Sequence, residues 1–126
     1  MLCGNDHILG KAMREEKRLH PRAEIKWPIV LMTTGGHIFG QTLDLSLGGA
    51  LIRSWERPDL LNSVALIFKP PTRRSFMKVT ARKVRETTFR LDSTTIVHVL
   101  GLCFTEIIDA DLQFLDAVIS HCLSAA

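Results

Sequence analysis

The stretch Phe76–Glu86, which reads FMKVTARKVRE, decides the fold class of this 126-residue chain. Its apolar side chains, beginning with Met77 and Val79, alternate with polar ones. This alternation predicts a strand with one face in the core and one in water. A slip in the alternation at Arg82 and Lys83 predicts a β-bulge. Similar segments on either side predict five further strands, at Ile25–Thr33, His37–Leu45, Ala50–Arg53, Val64–Lys69 and Thr95–Thr105.

Six short strands separated by turn signals predict an all-β barrel or sandwich. Thr34-Gly35-Gly36 is a turn signal between the first two strands, which therefore form a hairpin. Pro28 within the first strand predicts that this strand lies at an edge or contains a bulge. Closure of the sheet into a barrel would remove the exposed edges.

The C-terminal part of the chain follows a different pattern. Asp109 is a suitable helix cap, and an apolar stripe of helical period follows it. We expect this helix to pack on the protein's own sheet, with a partner protein or a second subunit as the alternative. The length fits one domain, which we place at 17–126 after a flexible or short helical lead-in at 1–16. The stripe consists of Leu112, Leu115, Ile119 and Cys122.

Composition and charge exclude several classes of protein. The apolar runs are far too short for a membrane span, and the spacing of His and Cys predicts no metal site. Met1–Gly10 has no continuous apolar segment of the secretory type, so the cytoplasm is the expected compartment. Residues 69–90 hold eight Lys or Arg against one Glu, so a surface that attracts anions is one interpretation. The alternative, which we favour for most of these residues, is that they lie on the solvent face of a strand.

Two arginines four residues apart form the first candidate site. Arg18 and Arg22 flank Pro21, which keeps the segment out of a helix, and Lys17 adds a third positive charge. In a loop, both guanidinium groups can converge on one ligand and pair with a phosphate or with the O6/N7 edge of guanine. The alternative is a solvated basic segment.

The second candidate site is Asp44-Leu45-Ser46-Leu47-Gly48-Gly49, at the end of a predicted strand. The Asp44 carboxylate can accept hydrogen bonds from the Watson–Crick edge of guanine, and the Ser46 hydroxyl can bind the same base. Gly48 and Gly49 allow positive φ and a close approach of a ligand to the backbone. The alternative is an ordinary turn in which Asp44 and Ser46 bond to their own backbone.

Together, RxxxR and DxSxxG resemble the motifs of the PilZ domain family, bacterial receptors for cyclic di-GMP. The resemblance covers roughly residues 17–107 and includes Leu100–Phe104 as the closing strand. It implies a six-stranded antiparallel β-barrel with a C-terminal α-helix. It also implies that cyclic di-GMP is the ligand and that no cofactor is needed. The implied ligand-binding residues are Lys17, Arg18, Arg22, Asp44, Ser46, Gly48 and Gly49. In the family a basic residue at the position of Lys17 often accompanies a stacked pair of ligand molecules, so one or two molecules per chain are both open.

The function expected from this resemblance is that of a receptor. Ligand binding would order the segment before Arg22 and change the surface offered to a downstream protein, in processes such as motility or exopolysaccharide production. The main alternative is a PilZ-like protein-interaction adaptor that does not depend on nucleotide. We expect no DNA or RNA binding, because the basic segment 69–90 lacks a stacking pattern. An enzyme is the weakest option, because neither His37 nor His98 has an identifiable relation to Ser46. The chain is expected to be a monomer or a homodimer.

Overall fold

Six antiparallel strands close into a barrel in the computed structural model, which describes residues 20–59 and 63–125. The spatial order is β1-β2-β3-β6-β5-β4, and β4 pairs with β1 to complete the closure. The predicted antiparallel barrel is therefore confirmed. The strands are β1 (Pro28–Thr33), β2 (Gly36–Leu45), β3 (Gly49–Ser54), β4 (Val64–Phe68), β5 (Met77–Arg90) and β6 (Ile96–Glu106).

The predicted bulge in β5 is present and redirects the strand. The pairing of β5 with β6 shifts between Lys83 and Arg85, so that Val84 is the extra residue. Beyond it, the strand continues to Arg90, four residues further than its alternation predicts. This extension has no inward apolar face of its own, so hydropathy alone gave no sign of it.

Pro28 does not mark an edge strand. It is the first residue of β1, a position where a missing N–H interrupts no ladder, and its carbonyl accepts a hydrogen bond from the Lys69 N–H at 3.1 Å. The residues before it, Ile25 to Trp27, lie beside β2 without forming part of a strand. The expectation of an edge or bulged strand was wrong because β1 pairs on both sides, with β2 and with β4.

The core fills the barrel and continues to one side under the C-terminal helix. Phe68 and Phe104 meet edge to face inside it, with ring centroids 6.1 Å apart. Trp27 is in edge contact with Phe68 and stacks on Phe114 of the helix, at 6.5 and 6.2 Å. Trp27 therefore joins the segment before β1, the barrel core and the helix.

The helix α1 (Asp109–Ala125) packs on the protein's own barrel. Leu115 and Ile119 belong to the buried core, and Cys122 packs partly buried against it. This is the first of the two alternatives for the apolar stripe. A part-buried ion pair also ties the start of the helix to the loop before β5: the Arg73 guanidinium lies 2.5 Å from the buried Asp111 carboxylate.

Candidate ligand-binding site

The segment before β1 is held against β2 by a short antiparallel pairing. The Ala23 N–H donates to the Leu45 carbonyl at 2.8 Å, and the Leu45 N–H donates back to the Ala23 carbonyl at 2.9 Å. Continuation of this pairing sets Arg22 opposite Ser46 and Glu24 opposite Asp44. The second arginine of the RxxxR motif and the start of the DxSxxG motif are therefore neighbours, although 22 positions separate Arg22 from Asp44 in sequence.

A buried threonine fixes the same segment further along. The Thr42 hydroxyl accepts from the Trp27 N–H at 2.7 Å and donates to the Ile25 carbonyl at 2.5 Å. The Thr42 N–H also donates to the Trp27 carbonyl. Thr42 was not singled out from the sequence. The sequence does place Thr42 at a core-facing position of a predicted strand, and a buried hydroxyl group there requires hydrogen-bond partners.

A bulge in β2 marks the position of Asp44. The pairing of β2 with β3 shifts between Thr42 and Asp44, so Leu43 is the extra residue. Asp44 is half-buried, whereas Leu45 after it is fully buried in the core. The carboxylate therefore lies on the outer face of the barrel, beside the segment that carries Arg22.

Ser46 holds the turn between β2 and β3. Its Oγ accepts hydrogen bonds from the N–H groups of Gly48 and Gly49, at 3.2 and 3.1 Å. The Ser46 N–H donates to the Gly49 carbonyl at 2.9 Å. For Ser46, the structure matches the alternative of a turn residue that bonds its own backbone. A ligand contact by its hydroxyl stays a prediction.

The two glycines serve packing rather than an unusual backbone conformation. Within the described residues, Gly36 is the one glycine with positive φ, so Gly48 and Gly49 do not use the positive φ that a glycine allows. A Cβ on Gly49 would lie closer than 3.0 Å to the Leu102 carbonyl oxygen of β6. A Cβ on Gly48 would lie 3.3 Å from the ring of His20. The space at Gly49 is taken by a neighbouring strand, and the space at Gly48 by an imidazole.

Charges of both signs surround Asp44. Burial raises the pKa of its carboxyl group, and the positive charges of Arg22 and Arg85 partly offset this effect. Glu24, opposite in the pairing, raises the pKa further. Arg85 was not among the residues predicted for the site. It lies on β5, three strands away from Asp44 around the barrel, and sequence spacing carries no sign of that neighbourhood.

The remaining positive residues of the first motif, Lys17 and Arg18, lie outside the described residues. His20, at the start of the described chain, packs its ring against Gly48. Its Nδ1 atom is buried and has no hydrogen-bond partner in the described part of the chain. The segment that carries Arg22 therefore already lies over the turn between β2 and β3.

Neither a metal-binding cluster nor a membrane-spanning helix is present in the part of the chain that the structure describes. Among residues 20–59 and 63–125, no three His, Cys, Asp or Glu side chains are grouped so as to hold a metal ion. Within the same ranges, no helix has the length and apolar character needed to cross a membrane.

Comparison with known proteins identifies the family. The model of the PilZ domain matches residues 16–121. The chain belongs to the PilZ domain family. No match was found among curated proteins.

Solved structures share the fold at low sequence identity. The inhibitor of motility MotI/DgrA of Bacillus subtilis is 17% identical with a TM-score of 0.63, over 84% of this chain and 49% of that one. The PilZ domain of YcgR from Escherichia coli, solved with c-di-GMP, is 12% identical with a TM-score of 0.66, over 84% and 91%. PlzA of Borreliella burgdorferi, solved in complex with c-di-GMP, is 11% identical with a TM-score of 0.64, over 93% and 58%. The chain spans about half the length of MotI/DgrA.

Proposed function

We propose that this protein is a receptor for cyclic di-GMP and not an enzyme. The observation that carries the proposal is the pairing of Ala23 with Leu45, which brings Arg22 beside Asp44 on the outer face of the barrel. A guanidinium group and a carboxylate in this arrangement complement the acceptors and the donors of guanine. The structural relatives from Escherichia coli and Borreliella burgdorferi, both solved with c-di-GMP, support the same ligand.

Each proposed ligand residue has a chemical role. Arg22, together with Arg18, pairs with phosphates and with the O6/N7 edges of guanine, because a guanidinium fork matches both. Asp44 accepts hydrogen bonds from the N–H groups of the Watson–Crick edge. The Ser46 hydroxyl, Gly48 and Gly49 form the turn beside the base. Lys17 adds the positive charge that would favour a stacked pair of ligand molecules.

Ligand binding is proposed to act through the segment before β1. Residues 1–16 form a lead-in to the domain at 17–126, and closure of Lys17, Arg18 and Arg22 over the nucleotide changes the surface offered to a protein partner. Trp27 gives this change a route to the helix, since its ring stacks on Phe114. We infer a cytoplasmic bacterial protein, a monomer or a homodimer, with motility or exopolysaccharide production as the regulated process.

Isothermal titration with cyclic di-GMP tests the proposal directly. We expect micromolar or tighter binding, no heat with GTP, and a loss of at least about tenfold for Arg22→Ala, since a hydrogen bond to a charged group contributes about 1.5–3 kcal/mol. Arg74→Ala is the matched control, because it removes an equally exposed arginine from the loop before β5. Absence of heat with the wild-type protein, confirmed by unchanged melting on ligand addition, would reject the receptor function.

A nucleotide-independent adaptor is the second candidate, and one feature favours it. Phe39, Trp55 and Phe89 expose 71%, 56% and 49% of their surface. By extension of the strand register, Phe39 and Trp55 are opposite each other on β2 and after β3. Aromatic side chains so exposed are typical of protein contact surfaces. If titration detects no cyclic di-GMP binding, this surface becomes the first place to seek a protein partner.

A further inference from the structure

We propose that Arg85 is a further ligand-contacting residue of this site and binds the guanine base from the side opposite Asp44. The inference rests on the proposed receptor function. It names a residue in neither sequence motif, on a strand far from both in the sequence.

The register of four strands places Arg85 and Asp44 in one row. Asp44 of β2 pairs with Leu51 of β3, Leu51 pairs with Gly101 of β6, and Gly101 pairs with Arg85 of β5. Residues paired in this way project from the same face of a sheet. The row therefore starts with a carboxylate, ends with a guanidinium, and crosses three strand spacings, roughly 14 Å.

Leu51 and Gly101 lie between Asp44 and Arg85 in this row. Leu51 is half-buried, and Gly101 has no side chain to rise above the sheet. A Cβ on Gly101 would lie 3.1 Å from the Cγ and 3.2 Å from the Nε of Arg85. The Arg85 side chain therefore lies across the backbone of β6 and points along the row towards β3 and β2. Because Arg85 covers Gly101, a planar base between Asp44 and the Arg85 guanidinium would have the half-buried Leu51 as its apolar contact beneath.

The bulge in β5 puts Arg85 in this position. Because Val84 is the extra residue, the strand changes phase and Arg85, not its neighbour, pairs with Gly101. The neighbouring charges are already paired with each other: Lys83 and Arg57 both contact Glu86, at 2.8 and 3.1 Å. Within the described chain, no hydrogen bond or ion pair engages the Arg85 guanidinium.

The chemistry of the row selects guanine. A guanidinium fork donates to the O6 and N7 acceptors, while a carboxylate accepts from the N1–H and N2–H groups. Adenine has a donor in place of O6, so the same two side chains would discriminate against it. Arg22, on the far side of Asp44, is left for a phosphate or the second base.

Titration of three variants with cyclic di-GMP tests the inference. We expect Arg85→Ala to weaken binding about 10- to 100-fold, as for the loss of a charge-assisted hydrogen bond. Arg85→Lys should recover only part of this loss, because an ammonium group cannot form the fork. Arg90→Ala, five residues further along the same strand, removes the same charge outside the row and should stay within about twofold of the wild type.

Two further readouts separate contact from general attraction. At 0.5 M NaCl, where exposed charges are strongly screened, the defect of Arg85→Ala should persist. The Nε–H resonance of Arg85, identified by its absence in the Lys variant, should shift when ligand is added to the wild-type protein. Equal affinities of the Ala variants at positions 85 and 90, or a defect that disappears at high salt, would overturn the inference while leaving the receptor function intact. No binding by the wild-type protein would overturn both.

Discussion

Replacement of Gly49 by alanine should damage the fold, although Gly49 belongs to a motif associated with ligand binding. The added Cβ would lie closer than 3.0 Å to the Leu102 carbonyl oxygen and 3.4 Å from its carbonyl carbon. Both atoms are backbone, so no side-chain rotation relieves the overlap. β3 would have to move away from β6 where Gly49 pairs with Cys103.

The expected cost combines three terms. Overlap in a packed region costs about 1–3 kcal/mol. Displacement weakens the hydrogen bonds on either side, from Phe104 N–H to the Gly48 carbonyl and from Ser46 N–H to the Gly49 carbonyl, at about 1 kcal/mol each. Alanine has less backbone freedom than glycine in the unfolded chain, which stabilises the folded protein by about 0.4–1 kcal/mol and offsets part of the cost. Destabilisation by about 2–4 kcal/mol follows.

Gly48→Ala is the matched control in the same turn. Its Cβ would meet the half-buried ring of His20 at 3.3 Å, and this ring, unlike a strand backbone, can move by a few tenths of an ångström through side-chain rotation. We expect a loss below about 1 kcal/mol. Urea unfolding of the ligand-free proteins would measure both variants. If Gly49→Ala unfolds within about 0.5 kcal/mol of Gly48→Ala, the packing argument for Gly49 is wrong.

Four other predictions concern charged groups. Because burial raises the pKa of Asp44, the ionised carboxylate opposes folding, so Asp44→Asn should become more stable than the wild type as the pH rises through that pKa. The same variant should lose ligand binding. A stability difference from the wild type that is equal at all pH values in thermal melts would contradict the first expectation. In the wild type, cyclic di-GMP affinity should fall as the pH drops through the pKa of Asp44, since a protonated carboxyl accepts poorly; titration at several pH values checks it. The hydrogen bond from Lys83 is the main cause that lowers the pKa of Glu86 below 4.5. The ionised Glu86 should therefore stabilise the protein fully above that pH and less as the pH falls below it. Thermal melts of Glu86→Gln should lack this part of the pH dependence. Arg73→Ala should destabilise the protein by about 1–3 kcal/mol because the buried Asp111 carboxylate loses its charged hydrogen-bond partner, and Asp111→Asn in the same chain should recover part of the loss in urea unfolding.

The strands were predictable because alternation is a local property. The pattern in Phe76–Glu86 predicts both the strand and its bulge, and the structure has both. The extension of β5 to Arg90 was not predictable in this way, because those residues are exposed and carry no alternation. The prediction from Pro28 was wrong for a related reason. A proline lacks the backbone N–H donor, but only the strand register shows whether a ladder hydrogen bond would have used that donor.

The two motifs predict the residue types of the site, and the binding of ligand by these residues stays a prediction. The pairing of Ala23 with Leu45 brings Arg22 near Asp44, and no sequence pattern marks that pairing. The approach of Gly49 to Leu102 and the row that links Asp44 to Arg85 both depend on pairing between strands distant in sequence. Register of that kind is decided by the closure of the whole barrel.

Residues of the DxSxxG motif that support the fold have to be tested differently from residues that face a ligand. Ser46 bonds the backbone of its own turn, and Gly49 allows two strands to approach, so substitution of either one alters the scaffold whether or not ligand is present. A loss of binding in such variants would not identify a ligand contact. Arg22 and Arg85 are exposed and Asp44 is half-buried, and within residues 20–59 and 63–125 their side chains donate or accept no hydrogen bond that holds a strand. Variants at these three positions, checked for unchanged or increased stability, are therefore the ones whose binding defects report on recognition itself.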